Sequence, residues 1–148
     1  MVSNNWSITE TGLIDIKGQS EIHLGMTLVE FNLKYYTHST KLLRAYVNSP
    51  RWFCYEMNEI INLHFNAENG TLEVIYLEEG FEGKYKGKIG IGSKISEIIE
   101  LEDHYTIDDD VFSIRNNKIG FVANEDLETL YDHEIPQCKV ERIILYYC

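Results

Sequence analysis

The chain has 148 residues, with 24 Asp and Glu against 13 Lys and Arg and a formal net charge of −11. At 44% hydrophobic and 25% charged it has the composition of a globular protein that can bury a core in one domain, not of a disordered chain. The acidic balance counts against a nucleic-acid partner, whose phosphates are met chiefly by Lys and Arg, and no run approaches the roughly 18 consecutive apolar residues of a membrane span.

The first ten residues, Met1 to Glu10, hold neither a basic stretch nor an apolar run of about 7–15 residues, so no secretion signal is expected and a cytosolic location is. Ile22 opens a short strand that leads to Gly25 and a helix. Thr27 and Glu30 are spaced as a capping box there, and Leu28, Phe31 and Tyr35 share one face. Leu42–Val47, Trp52–Met57 and Ile60–Phe65 are rich in aromatic and β-branched residues and read as strands. Asn66 to Gly70 supplies a turn into the strand Leu72–Leu77. A second strand, glycine and helix begin near Ile89, with Ser93 as the expected cap and Ile95, Ile98, Ile99 and Leu101 as the apolar stripe. Val111–Ile114 and Ile119–Val122 flank Asn116-Asn117, a two-residue hairpin turn, and Val140–Tyr147 reads as the last strand.

The two helix starts match each other. Ile22 to Phe31 and Ile89 to Ile98 both read apolar-x-apolar-Gly-x-x-apolar-x-Glu-apolar, and 67 positions separate Gly25 from Gly92. Leu72 to Tyr76 resembles Val140 to Ile144 at a spacing of 68. The expected fold is therefore α+β: one domain over 1–148 made of two tandem helix-plus-antiparallel-strand modules, pseudo-repeats 18–82 and 85–148, sharing a broad sheet with short helices on one face.

No reaction is spelled out. Gly87 to Lys94 has the order Gly-Ser-Lys where a phosphate loop needs Gly-Lys-Ser/Thr, and Ile95 stands where a dinucleotide fingerprint needs its third glycine. His23, His38, His64, His104 and His133 form no metal-binding pair on a helix. Asp108-Asp109-Asp110 lacks the alternation, the glycine and the distal glutamate of a calcium loop. Cys54, Cys138 and Cys148 show neither zinc spacing nor a disulfide framework, and Cys54 reads as a buried, inert thiol. No cofactor, metal or catalytic residue is expected.

The charge is lopsided: residues 1–60 carry a net of −1 and residues 61–148 a net of −10. Glu97, Glu100, Glu102, Asp103, Asp108, Asp109 and Asp110 form one block without a Lys or Arg, and Glu125, Asp126, Glu128, Asp132 and Glu134 form another. Clustered like charges repel, so folding alone does not call for them; solubility or a basic partner does. Tyr105, Phe112 and Tyr131 stand beside the blocks as candidate aromatic anchors of a binding surface.

This arrangement resembles the bacterial immunity proteins of polymorphic toxin and contact-dependent growth inhibition systems: small, acidic, cytosolic α+β proteins that each block one toxin, often a basic nuclease. The paired helix starts, Gly25 to Phe31 and Gly92 to Ile98, each followed by antiparallel strands, are also similar to the tandem modules of β-lactamase inhibitory proteins, whose concave sheet grips an enzyme. The chain departs from the latter in lacking the paired cysteines that staple each module. The resemblance implies a stoichiometric inhibitor whose partner is a cognate toxin with a basic surface, met by the two acidic blocks and their aromatic neighbours. Two other readings are a small-molecule or carbohydrate-binding enzyme with a cleft between the modules, and a homodimer paired through an edge strand such as Val140–Tyr147.

Overall fold

The computed structural model describes residues 6–15, 21–36 and 43–147, with 36, 43–46 and 48 defined by backbone alone; His38, Leu42, Cys148 and the opening residues of the first pseudo-repeat, 18–20, lie outside the described residues. The chain is α+β, and mostly antiparallel sheet. β1 (Trp6–Thr9), β2 (Gly12–Asp15) and β3 (Glu21–His23) form a small sheet in chain order. α1 (Leu28–Phe31) runs on into a π-helical turn, Asn32–Tyr36. Four strands follow: β4 (Leu43–Ser49), β5 (Trp52–Met57), β6 (Ile61–Asn66) and β7 (Leu72–Leu77). Then come α2 (Ile95–Leu101), β8 (Tyr105–Asp108), β9 (Val111–Ile114), β10 (Ile119–Ala123) and β11 (Val140–Tyr146).

The last eight strands make one sheet in the order β4-β5-β6-β7-β11-β10-β9-β8, two meanders joined where β7 pairs antiparallel with β11. β11 is thus an interior strand, and the homodimer edge expected at Val140–Tyr147 is already occupied on both sides. The outer strands are β4 and β8.

Both helices begin from the same backbone frame. Gly25 has φ 89° and gives its N–H to the Leu72 carbonyl at 2.8 Å, while Gly92 has φ 91° and gives its own to Val140 at 2.7 Å. Leu72 N–H returns to Met26 and Val140 N–H to Ser93; Leu28 N–H reaches Gly70 and Ile95 N–H reaches Cys138. Such a φ is open to glycine and strained for any residue with a Cβ, which explains the glycine at each site. The caps differ in chemistry. Thr27 Oγ1 accepts from Glu30 N–H at 3.2 Å, half of the expected box. In α2 the cap is Lys94 and not Ser93, because Ser93 Oγ is taken by the Gly90 N–H at 2.9 Å; the Glu97 carboxylate supplies the bond, accepting from Lys94 N–H at 2.7 Å.

Alternation along the strands sorts the large sheet into two faces. Tyr55, Met57, Ile61, Leu63, Phe65, Ile75, Leu77, Phe112, Ile114, Ile119, Phe121, Ile143 and Leu145 turn to a dry face and join one core cluster with the helices and the small sheet. Phe31 is the plug from α1, its ring centroid 5.0 Å from both Tyr35 and Tyr55 and 5.6 Å from Phe65. Ile95 and Ile98 are its fully buried counterparts in α2. Cys54 and Ile144 are buried but stand outside that cluster, on the opposite face, where no helix packs among the described residues. The hairpin expected at Asn116-Asn117 is longer by two: Arg115, Asn116 and Asn117 all have positive φ, and Lys118 N–H closes the turn on the Arg115 carbonyl.

Candidate functional site

One connection is much longer in the second half than in the first. β6 joins β7 through residues 67–71, while β10 joins β11 through 124–139, which carry the acids of the second block. That long segment is tied down. Ala123 N–H bonds the Asp110 carbonyl at 2.7 Å and Leu127 N–H bonds the Asp109 carbonyl at 2.9 Å, so the β8–β9 turn and the segment are stitched together. Leu127 enters the core, and Asp126 caps a 3-10 turn by accepting from Glu128 N–H at 3.0 Å.

The stitching brings the end of the first acidic block next to the start of the second. Asp109, Asp110, Glu125, Asp126 and Glu141 line a solvent-facing cavity of about 390 Å³. Carboxylate oxygens of Asp109, Asp126 and Glu128 lie within 4.8 Å of one another, and all three residues are exposed. Among the described residues none of these six acids pairs with a Lys or Arg. Three hard oxygens amount to part of the six to eight that a Ca²⁺ ion takes. Beneath the cavity Cys138 donates toward a Glu125 oxygen at 3.7 Å; burial first, and then the negative charge of Glu125 and Glu134, raise its thiol above the ordinary range.

The other expected contact residues are dispersed. Glu97 and Glu100 face outward from α2 beside a separate hollow with Lys88. Glu102 is engaged by Tyr85, Arg115 and Lys86. Asp103, Asp108 and Asp132 are exposed. Tyr105 stacks on Phe112 at 4.4 Å with part of its ring in solvent. Phe112 itself is 0% exposed on the dry face of β9 and is corrected from anchor to core. Tyr131 is 75% exposed and lies parallel to the His133 ring at 5.9 Å.

One arrangement was not foreseen. The helix-free face of the sheet carries a row of rings across β5, β6 and β7: Trp52 meets His64 edge-on at 5.8 Å, and His64 meets Tyr76 at 4.7 Å. The Arg142 guanidinium lies 4.6 Å above Tyr76 and donates to Glu78 Oε1 from Nε at 2.9 Å and from Nη2 at 2.6 Å. Burial, with Arg142 nearby, lowers the His64 pKa below its ordinary value of 6.5. Burial and the neighbouring Tyr76 raise Tyr146, against the opposing pull of Arg142. A broad groove of about 640 Å³, lined by Glu78, Val122, Asn124, Glu141 and Arg142 among others, joins this face to the rim of the acidic cavity. The alternation Trp52/Cys54/Glu56 and Asn62/His64 in β5 and β6 was the available signal.

No protein-family model, no curated protein and no solved structure matches the chain. No helix of the described residues is long and apolar enough to cross a membrane.

Proposed function

We propose that this protein is a cytosolic immunity-type inhibitor that binds a cationic toxin, with a basic nuclease as the favoured class, and that it is built from two tandem modules of one helix start and four antiparallel strands. The tandem reading is supported by the matched glycine φ values and the matched backbone bonds at Gly25 and Gly92. The functional reading is carried by a single observation: acids far apart in the chain converge on one exposed cavity, without basic partners among the described residues. Concentrated unpaired carboxylates raise a negative potential that speeds encounter with a positive surface and penalises the folded chain in isolation. Tyr131, exposed midway along the same segment, and the aromatic face beyond the groove supply apolar area for a slowly dissociating contact.

The alternative of an enzyme with a cleft between the modules fits less well. The half-buried carboxylate at that groove, Glu78, is committed to Arg142 through two short bonds and is held as a structural ion pair. The test is to search the neighbouring reading frames for a cationic toxin domain and to measure its capture by this chain. A 1:1 complex whose affinity falls steeply with added salt is expected, and Asp109→Lys, Asp110→Lys and Glu125→Lys together weaken it at least tenfold at low salt while circular dichroism stays unchanged. Undiminished affinity in the triple variant overturns the assignment of the surface.

A further inference from the structure

Two of the chain's 13 basic residues meet at a hollow apart from the acidic cavity, each with donor groups left over after its ion pairs. A cavity of about 430 Å³ is lined by Ser7, Glu10, Tyr85, Lys86, Gly87 and Arg115, among others. We infer that it is an anion site, taking a phosphate or carboxylate group carried by a ligand. This inference stands independently of the toxin-binding proposal.

Arg115 is aimed from behind. Its Nε donates to Tyr85 Oη at 2.9 Å and to Glu102 Oε1 at 3.0 Å, and Tyr85 Oη donates to the same carboxylate oxygen at 2.8 Å. Glu102 is outside the cavity lining, so the carboxylate fixes the guanidinium without filling the space in front of it. Neither Nη of Arg115 donates to a protein acceptor among the described residues, which leaves the pair of N–H groups suited to two-point contact with a planar or tetrahedral oxyanion.

Lys86 brings the second cation. Its Nζ lies 3.8 Å from Glu102 Oε1 and its side chain is 44% exposed. Lys86 and Gly87 take φ values of 52° and 69°, and their N–H groups meet no protein acceptor among the described residues. Two cations face one lining carboxylate, Glu10, whose oxygen is 3.9 Å from Arg115 Nε. With Glu102 behind them the four charges balance, so what the lining offers an oxyanion is the two Nη groups of Arg115, the Lys86 ammonium and those two backbone N–H groups, not a net positive charge.

The experiment is an amide and arginine Nε–H NMR titration of the full chain with inorganic phosphate and, separately, with acetate, against chloride at matched ionic strength and fixed pH. Saturable shifts confined to the amides that line the cavity, those of Lys86 and Gly87 foremost, and to the Arg115 Nε–H are expected. Tighter saturation by phosphate assigns a phosphoryl ligand, and tighter saturation by acetate assigns a carboxylate. Arg115→Gln should weaken binding at least tenfold. Because that change also strips Tyr85 and Glu102 of a partner, Lys86→Gln provides the second arm, with a threefold or greater loss. Absence of saturable shifts with either anion, equal shifts with chloride, or unchanged affinity in folded Lys86→Gln and Arg115→Gln overturns the inference.

Discussion

The short turn from β6 to β7 and the long segment from β10 to β11 leave the sheet at comparable places and return to it at matched ones, yet they solve the return differently. In the first, Gly70 sits at φ 73° and hands its carbonyl to Leu28 N–H. In the second, Cys138 does so for Ile95 with an ordinary φ of −66°. Five residues suffice for the first link and sixteen are spent on the second. Lengthening a loop costs little in closure entropy, each doubling only about 0.6 kcal/mol. Extra chain that also docks a leucine into the core and bears unpaired acids is therefore best understood as surface added to a frame that did not need it.

That contrast can be broken or sharpened by mutation. Leu127→Ala should destabilise the whole protein by about 2–5 kcal/mol in urea titration, the cost of emptying a closed core site. A loss under 1 kcal/mol would mean that the segment is only draped over the sheet. Gly70→Ala should cost about 1–2 kcal/mol through its left-handed φ, the new methyl meeting only Leu28 Cβ at an ordinary 3.9 Å. The same measurement on Cys138→Ala should show no backbone penalty, only lost packing.

The wetter face of the first half adds a pH dependence. His64 has its pKa lowered in the fold, so between that value and 6.5 the unfolded chain binds more protons than the native one. Stability should rise with pH up to about 6.5 and fall as pH drops below it, and His64→Gln should flatten this limb in thermal melts. Smallest of all is Asp109→Asn. Asparagine tolerates φ 52° and removes one charge from the cluster, so a slight rise in Tm is expected, together with weaker capture of a cationic partner. A drop in Tm would show that the aspartate serves the fold.

Much of the sheet was readable in advance. Trp52–Met57, Leu72–Leu77 and Val111–Ile114 appear with the bounds that their patterning implies, and the spacing of Gly25 and Gly92 pointed to two equivalent helix starts. The hairpin of β1 and β2 escaped because its strands are only four residues long and Thr9 to Gly12 breaks any sustained alternation. Tyr105–Asp108 escaped as a strand because three of its four residues are exposed on an outer edge. The acidic blocks were visible as composition. The meeting of their ends was not, since it depends on two backbone bonds that the Asp109 and Asp110 carbonyls accept, from Leu127 N–H in the distant segment and Ala123 N–H just before it. Phe112 was misassigned because proximity to charge in sequence says nothing about which side of a strand a residue takes. The ring row was hidden for a related reason: β7 and β11 are apolar on both sides, so alternation there does not separate the dry face from the wet one.

The pairing at the middle of the sheet joins the closing strand of each meander, running in opposite directions, with Ile75 opposite Leu145 and Leu77 opposite Ile143. A chain severed between Glu79 and Lys94 would leave Leu72–Leu77 with an unfilled row of backbone donors and acceptors, of a shape that a second identical fragment could satisfy. Covalent continuity closes that seat from within, so the intact molecule leaves neither Leu72–Leu77 nor its partner strand as an open edge.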